Sequence, residues 1–198
     1  MPQPFTTPNG FGYTNTATSV AAARPDCAAA IGMIAMEWTC VERQVNSAIS
    51  GILGRTSGGD GEGWGINPNW IVEAAMSQVE TNRSRINVAN AIIGPLLDGH
   101  PLKDAWVEIT GRLFKRARER NDAVHTNWGW SEQKPECLID PGEPGPKITL
   151  WTLADFHEAH ARIRQLNEDV RVFMVSVLEA MHAGEITNRV TPEMLMRR

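Results

Sequence analysis

Pro101–Trp128 reads PLKDAWVEITGRLFKRARERNDAVHTNW, and this stretch decides the fold class. Proline is well placed in a first helical turn, and the run behind it holds no further proline. Trp106, Ile109, Leu113, Ala117 and Val124 recur at helical spacing. On a projection of about 100° per residue with Leu113 at zero, Trp106, Ala117 and Val124 fall between zero and about 40°. They mark a buried stripe. Arg120 falls inside it at about −20°, with Asn121 near 80° and His125 near 120° at its edge, and Asp122 on the solvated side.

Similar patterns recur on both sides. A first helix should begin at Pro25-Asp26 and run to about Leu53, with Ile31, Ile34, Trp38, Val41, Val45, Ala48 and Ile52 on one face. Gly51 and Gly54 should weaken and end it. Arg55–Gly65 reads as a loop, since five of its residues are glycine. A second helical region should cover Pro68–Leu97, with Pro95 kinking or finishing it. The helix of Pro101–Trp128 is then the third. The last starts at Thr152, with Asp155 completing a capping-box-like pair, and stops at Gly184. Its stripe is Phe156, Ile163, Leu166, Val170, Phe173, Val177 and Met181.

The expected fold is therefore all-α, an up-and-down bundle of four to five helices. Between the third and last long helices, Glu136–Asp140 and Ile148–Trp151 are short and β-compatible. They form a candidate hairpin across the Pro141–Pro146 loop. Residues 1–24, rich in Thr, Asn, Pro and Gly, read as a flexible arm. Residues 25–184 read as one domain and 185–198 as a tail.

Composition narrows the function. The chain has 198 residues, 42% of them hydrophobic, enough for one domain with a real core. A net charge of −4 argues against a duplex-DNA binder that relies on many phosphate contacts. Any nucleic-acid contact must be local. The three cysteines, Cys27, Cys40 and Cys137, have no CxxC spacing, so neither a disulfide framework nor a zinc site is expected. Arg24 is the first charged residue, which predicts no signal peptide, and no apolar run is long enough for a membrane span. A soluble cytoplasmic protein without cofactor or metal is the expectation. His157 and His160 lack companion ligands and read as surface or edge histidines. No GxSxG, P-loop or GxGxxG motif is present.

An arginine inside an apolar stripe needs a partner or a cleft, because an unpaired buried charge costs several kcal/mol. Glu42, at the edge of the first helix's buried face, is the candidate partner. A structural reading of Arg120 and His125, as a register-fixing ion pair and an edge histidine, competes with a functional one. Arg112, Lys115, Arg116 and Arg118 make this helix the most basic stretch of an acidic chain. They are a candidate landing strip for single-stranded RNA, with a solvated helix face as the alternative.

Arg120-Asn121-Asp122-Ala123-Val124-His125 resembles the R-x4-6-H motif of the HEPN superfamily, in which a polar residue often follows the arginine. Gly32, Trp38 and Glu42 resemble that family's opening helix. The frequent glycine immediately after the histidine is replaced here by Thr126. The resemblance spans about residues 26–182. It implies a dimeric helical bundle whose active members cleave RNA without metal, with Arg120, Asn121 and His125 as the catalytic set; beside them, Glu42, the candidate partner of Arg120, and Trp128, the aromatic residue ending the stretch, read as supporting residues. It also implies a homodimer with a composite site, a toxin or antiviral setting, and room for an antitoxin or other protein partner. The alternative is a non-catalytic module that binds a nucleotide, RNA or a protein through the same cleft.

Overall fold

The computed structural model describes residues 2–8, 10–56, 68–142 and 147–186. Over these residues the chain is mostly helical, with a small antiparallel sheet. The elements run β1 (Gln3–Thr6), α1 (Ala17–Ala23), α2 (Pro25–Thr56), α3 (Pro68–Ser77), α4 (Asn82–Leu96), α5 (Leu102–His125), β2 (Cys137–Asp140), β3 (Lys147–Thr152) and α6 (Leu153–His182). The first, third and last expected helices are α2, α5 and α6.

Several boundaries differ from expectation for physical reasons. Gly51 does not end α2; a Cβ there would stand 3.3 Å from Leu178 Cδ2, so the glycine makes room for a packed side chain. The second helical region is two helices. Thr81 starts α4 by accepting from the Ser84 amide at 3.1 Å, an N-cap that composition alone does not reveal. Pro95 falls in the last turn of α4. The capping pair of α6 forms as read: Thr152 N and Oγ1 donate to Asp155 Oδ2 at 2.9 and 2.7 Å, and Asp155 N returns a bond to Thr152 Oγ1 at 3.3 Å.

The N-terminal stretch expected as a flexible arm carries secondary structure. β1 pairs with β3 (Gln3 opposite Leu150, Thr6 opposite Lys147), and β2 pairs with the other edge of β3 (Cys137 opposite Thr152). The sheet order is β1-β3-β2. Phe5 and Phe11, with ring centroids 5.5 Å apart, pack against buried Cys137, Ile139, Ile148 and Leu150. These contacts give the segment the apolar burial that a disordered arm lacks. Most of the glycine-rich loop (57–67), the centre of the Pro/Gly loop (143–146) and the tail from 187 onward lie outside the described residues.

Contacts divide the chain into two compact units, Met1–Cys40 with Lys115–Gln165, and Val41–Phe114 with Leu166–Arg198. Helices α2, α5 and α6 each contribute residues to both. In the first unit, Trp128 makes edge contacts with Trp151 and Phe156 at 5.5 and 5.2 Å, and all three rings are buried. In the second, buried Trp106 stacks on Phe173 at 5.3 Å, and its indole donates to Asn90 Oδ1 at 3.0 Å. No helix among the described residues is long and apolar enough to cross a membrane.

Candidate active site

The last two turns of α5, in the first unit, bring Arg120, Asn121 and His125 together. Residues i and i+5 on a helix are about 140° apart, so only a long side chain spans them. Arg120 does so: its Nη1 lies 3.1 Å from Asn121 Oδ1 and 2.7 Å from His125 Nε2. A guanidinium only donates, so this contact is a hydrogen bond in the tautomer that leaves Nε2 of His125 without a proton. Arg120 is half-buried, while Asn121 and His125 are exposed. Arg120 Nε is buried without a hydrogen-bond partner among the described residues. Asp122 lies exposed; partial burial of its carboxyl pushes its pKa up, and Arg118 opposes that shift.

The helix ends at His125, three residues short of Trp128, because side chains take its last carbonyls. Thr126 Oγ1 donates to the Asp122 carbonyl, and the buried Trp128 indole donates to the Ala123 carbonyl at 2.9 Å. Trp128, anchored on Trp151 and Phe156, thus fixes the position of the final turn.

The expected Glu42–Arg120 pair is not made. Glu42 Oε1 accepts instead from Arg85 Nη1 of α4 at 3.0 Å, within the second unit. The basic stretch is also not one open strip. Arg116 is 8% exposed and its Nη1 sits 2.7 Å from Glu119 Oε2, a charge contact rather than an aligned hydrogen bond. Arg162 of α6 closes on the same carboxylate and also pairs with Glu158 at 2.6 Å. In the second unit, Arg112 is held by Asp169 and by Glu108 at 3.7 Å. Lys115 and Arg118 remain exposed, with no ion pair among the described residues. Of the two acids on Arg112, Glu108 lies one turn away on α5, whereas half-buried Asp169 lies on α6, beyond what a single-helix projection reports.

Other reactive groups lie away from this cluster. Cys27 and Cys137 are buried, and burial pushes the Cys27 thiol up to about 11 and raises that of Cys137, so neither is an activated nucleophile. Cys40 is exposed. His157 is exposed and His160 Nε2 stands 3.7 Å from Glu37 Oε2. No group of three or more His, Cys, Asp or Glu among the described residues is placed to hold a metal ion.

No protein-family model, no curated protein and no solved structure matches the chain.

Proposed function

We propose that the chain is a metal-independent endoribonuclease of HEPN type with Arg120, Asn121 and His125 as its catalytic set. The observation that carries this reading is the contact of Arg120 Nη1 with both Asn121 Oδ1 and His125 Nε2, at 3.1 and 2.7 Å, on a partly exposed helix end. A guanidinium carries five N–H donors, more than the contacts with Asn121 and His125 use. When an RNA phosphate draws Arg120 toward it, the Nε2 lone pair of His125 is released. That nitrogen takes the proton of the 2′-hydroxyl as the 2′ oxygen attacks phosphorus. It returns the proton to the departing 5′ oxygen, leaving a 2′,3′-cyclic phosphate and a 5′-hydroxyl. Arg120 stabilises the charge that builds on the phosphoryl oxygens, and Asn121 orients the guanidinium.

Within this reading the protein is a cytoplasmic homodimer with an up-and-down helical bundle and a toxin or antiviral role, open to an antitoxin partner. The competing reading is a non-catalytic module that binds a nucleotide, RNA or a protein at the same place. It is favoured by the inward pairing of Arg112 and Arg116, which leaves fewer free cations for a strand. Incubation with single-stranded RNA and its DNA counterpart in EDTA tests the choice. The enzyme cuts only the RNA, since DNA lacks the 2′-hydroxyl; no cleavage leaves the binding module, and cleavage that needs a divalent metal overturns the metal-independent mechanism.

A further inference from the structure

The segment before α1 returns to the chain that follows the Arg120–His125 turn. Thr14 N donates to Trp130 O at 2.9 Å, and Trp130 N donates to Thr14 O at 2.8 Å. Ser131 Oγ donates to Gly12 O at 2.6 Å. Residues 12 and 14 are therefore both tied down, and Tyr13 between them is not free to swing with its backbone. Its ring lies against Gly129, where a Cβ would come within 2.5 Å of Tyr13 Cδ2 and 3.1 Å of Cε2. Only glycine permits that approach. Gly129 is fixed in turn by a reciprocal pair of bonds with Ile139, at 2.7 and 2.8 Å. Yet Tyr13 stays 42% exposed.

A rigid backbone, a glycine floor and an open aromatic are the parts of a stacking platform. Tyrosine offers a flat face at low cost in conformational entropy, and every nucleobase has a π-face to lay on it. Gly129 is four residues beyond His125, so their Cα atoms are at most about 14 Å apart. All of these groups belong to one compact unit. We propose that Tyr13, seated on Gly129, stacks on a nucleobase flanking the phosphate held at Arg120, which makes the N-terminal segment part of the RNA site. This rests on the RNA reading of the Arg120–His125 cluster.

The test measures binding of a short labelled single-stranded RNA by fluorescence anisotropy, using the full chain carrying His125→Ala so that nothing is cut. Tyr13→Ala should weaken Kd by about 5- to 150-fold, the loss expected for one stacked base. Tyr13→Phe and Tyr13→Trp should bind as the parent does. Gly129→Ala, which pushes the ring off its floor, should weaken binding in the same range. Tyr13→Leu separates recognition from packing, because it covers Gly129 without an aromatic face: it should bind like Tyr13→Ala. If Tyr13→Leu or Tyr13→Ala binds as tightly as the parent, the ring is only a cover and the proposal is overturned. If the parent chain binds no RNA, the proposal and the RNA reading fall together. If RNA is bound through Tyr13 but wild type never cuts it, the ribonuclease reading falls while the stacking site stands.

Discussion

His125 Nε2 and Asn121 Oδ1 both meet Arg120 Nη1, so the three side chains form one hydrogen-bonded unit. A helical projection finds them because their spacing is local. It does not find Glu42's true partner, because Arg85 lies 43 residues away in sequence. The two ion pairs on offer differ in burial, and their stabilities should differ accordingly. The Glu42–Arg85 side chains are 26% and 32% exposed, so Glu42→Ala should cost about 1 kcal/mol or less in urea unfolding. Glu119 is different: it balances Arg116, which is 8% exposed, and also receives Arg162. Glu119→Ala should cost about 3–5 kcal/mol, because it strands a buried charge. Equal losses for the two variants would contradict this. Arg24 holds Asp26 by two bonds at 2.9 and 2.8 Å, and this hydrogen-bonded pairing lowers the Asp26 carboxyl from 3.8 to about 2. A depressed carboxylate contributes its stability above the unfolded value and loses it as pH falls toward the folded one. Asp26→Asn should therefore be less stable than wild type at neutral pH, by under about 1 kcal/mol because the pair is solvent-screened. The difference should shrink between about pH 4 and pH 2. A gap that persists at pH 2 would mean that something other than charge sets it.

Element by element, legibility follows the range of the interactions. The starts of α2 and α6 were readable because Pro25-Asp26 and Thr152–Asp155 carry their own local signals. The stripes of α5 and α6 gave the buried Trp106, Leu113, Phe156, Ile163 and Leu166. The break at Gln78–Thr81 was not readable from apolar period, because a Thr81 cap set it. The end of α5 was set by Thr126 and Trp128, whose side chains replace backbone partners for the last carbonyls. β1 was hidden for a stronger reason. Four residues, one of them proline, have no strand signal of their own, and their partner strand comes more than 140 positions later. The same non-locality concealed Tyr13, whose role is visible only once Gly12–Thr14 is seen to lie beside Gly129–Ser131.

At the scale of the whole molecule, a chain of net charge −4 carries a small cationic cluster. With Arg112 and Arg116 paired inward, only Arg120, Lys115 and Arg118 are left to meet a strand in the stretch 112–120. RNA affinity should accordingly depend on salt with a slope set by few phosphate contacts. A single Arg–His set also makes assembly part of the proposal. Light scattering at micromolar concentration should give a homodimer, with the C-terminal part of α5 near the two-fold axis; a monomer at that concentration would remove the composite site. The central claim, that Arg120 and His125 together cleave RNA, is tested most directly by one rate comparison. Wild type, His125→Ala, Arg120→Ala and the double variant are purified in parallel and given single-stranded RNA in EDTA. The account predicts that each single change slows cleavage by about a hundredfold or more, and that the double variant is little worse than the weaker single one, since the groups act as a unit. Equal cleavage by wild type and His125→Ala would contradict it.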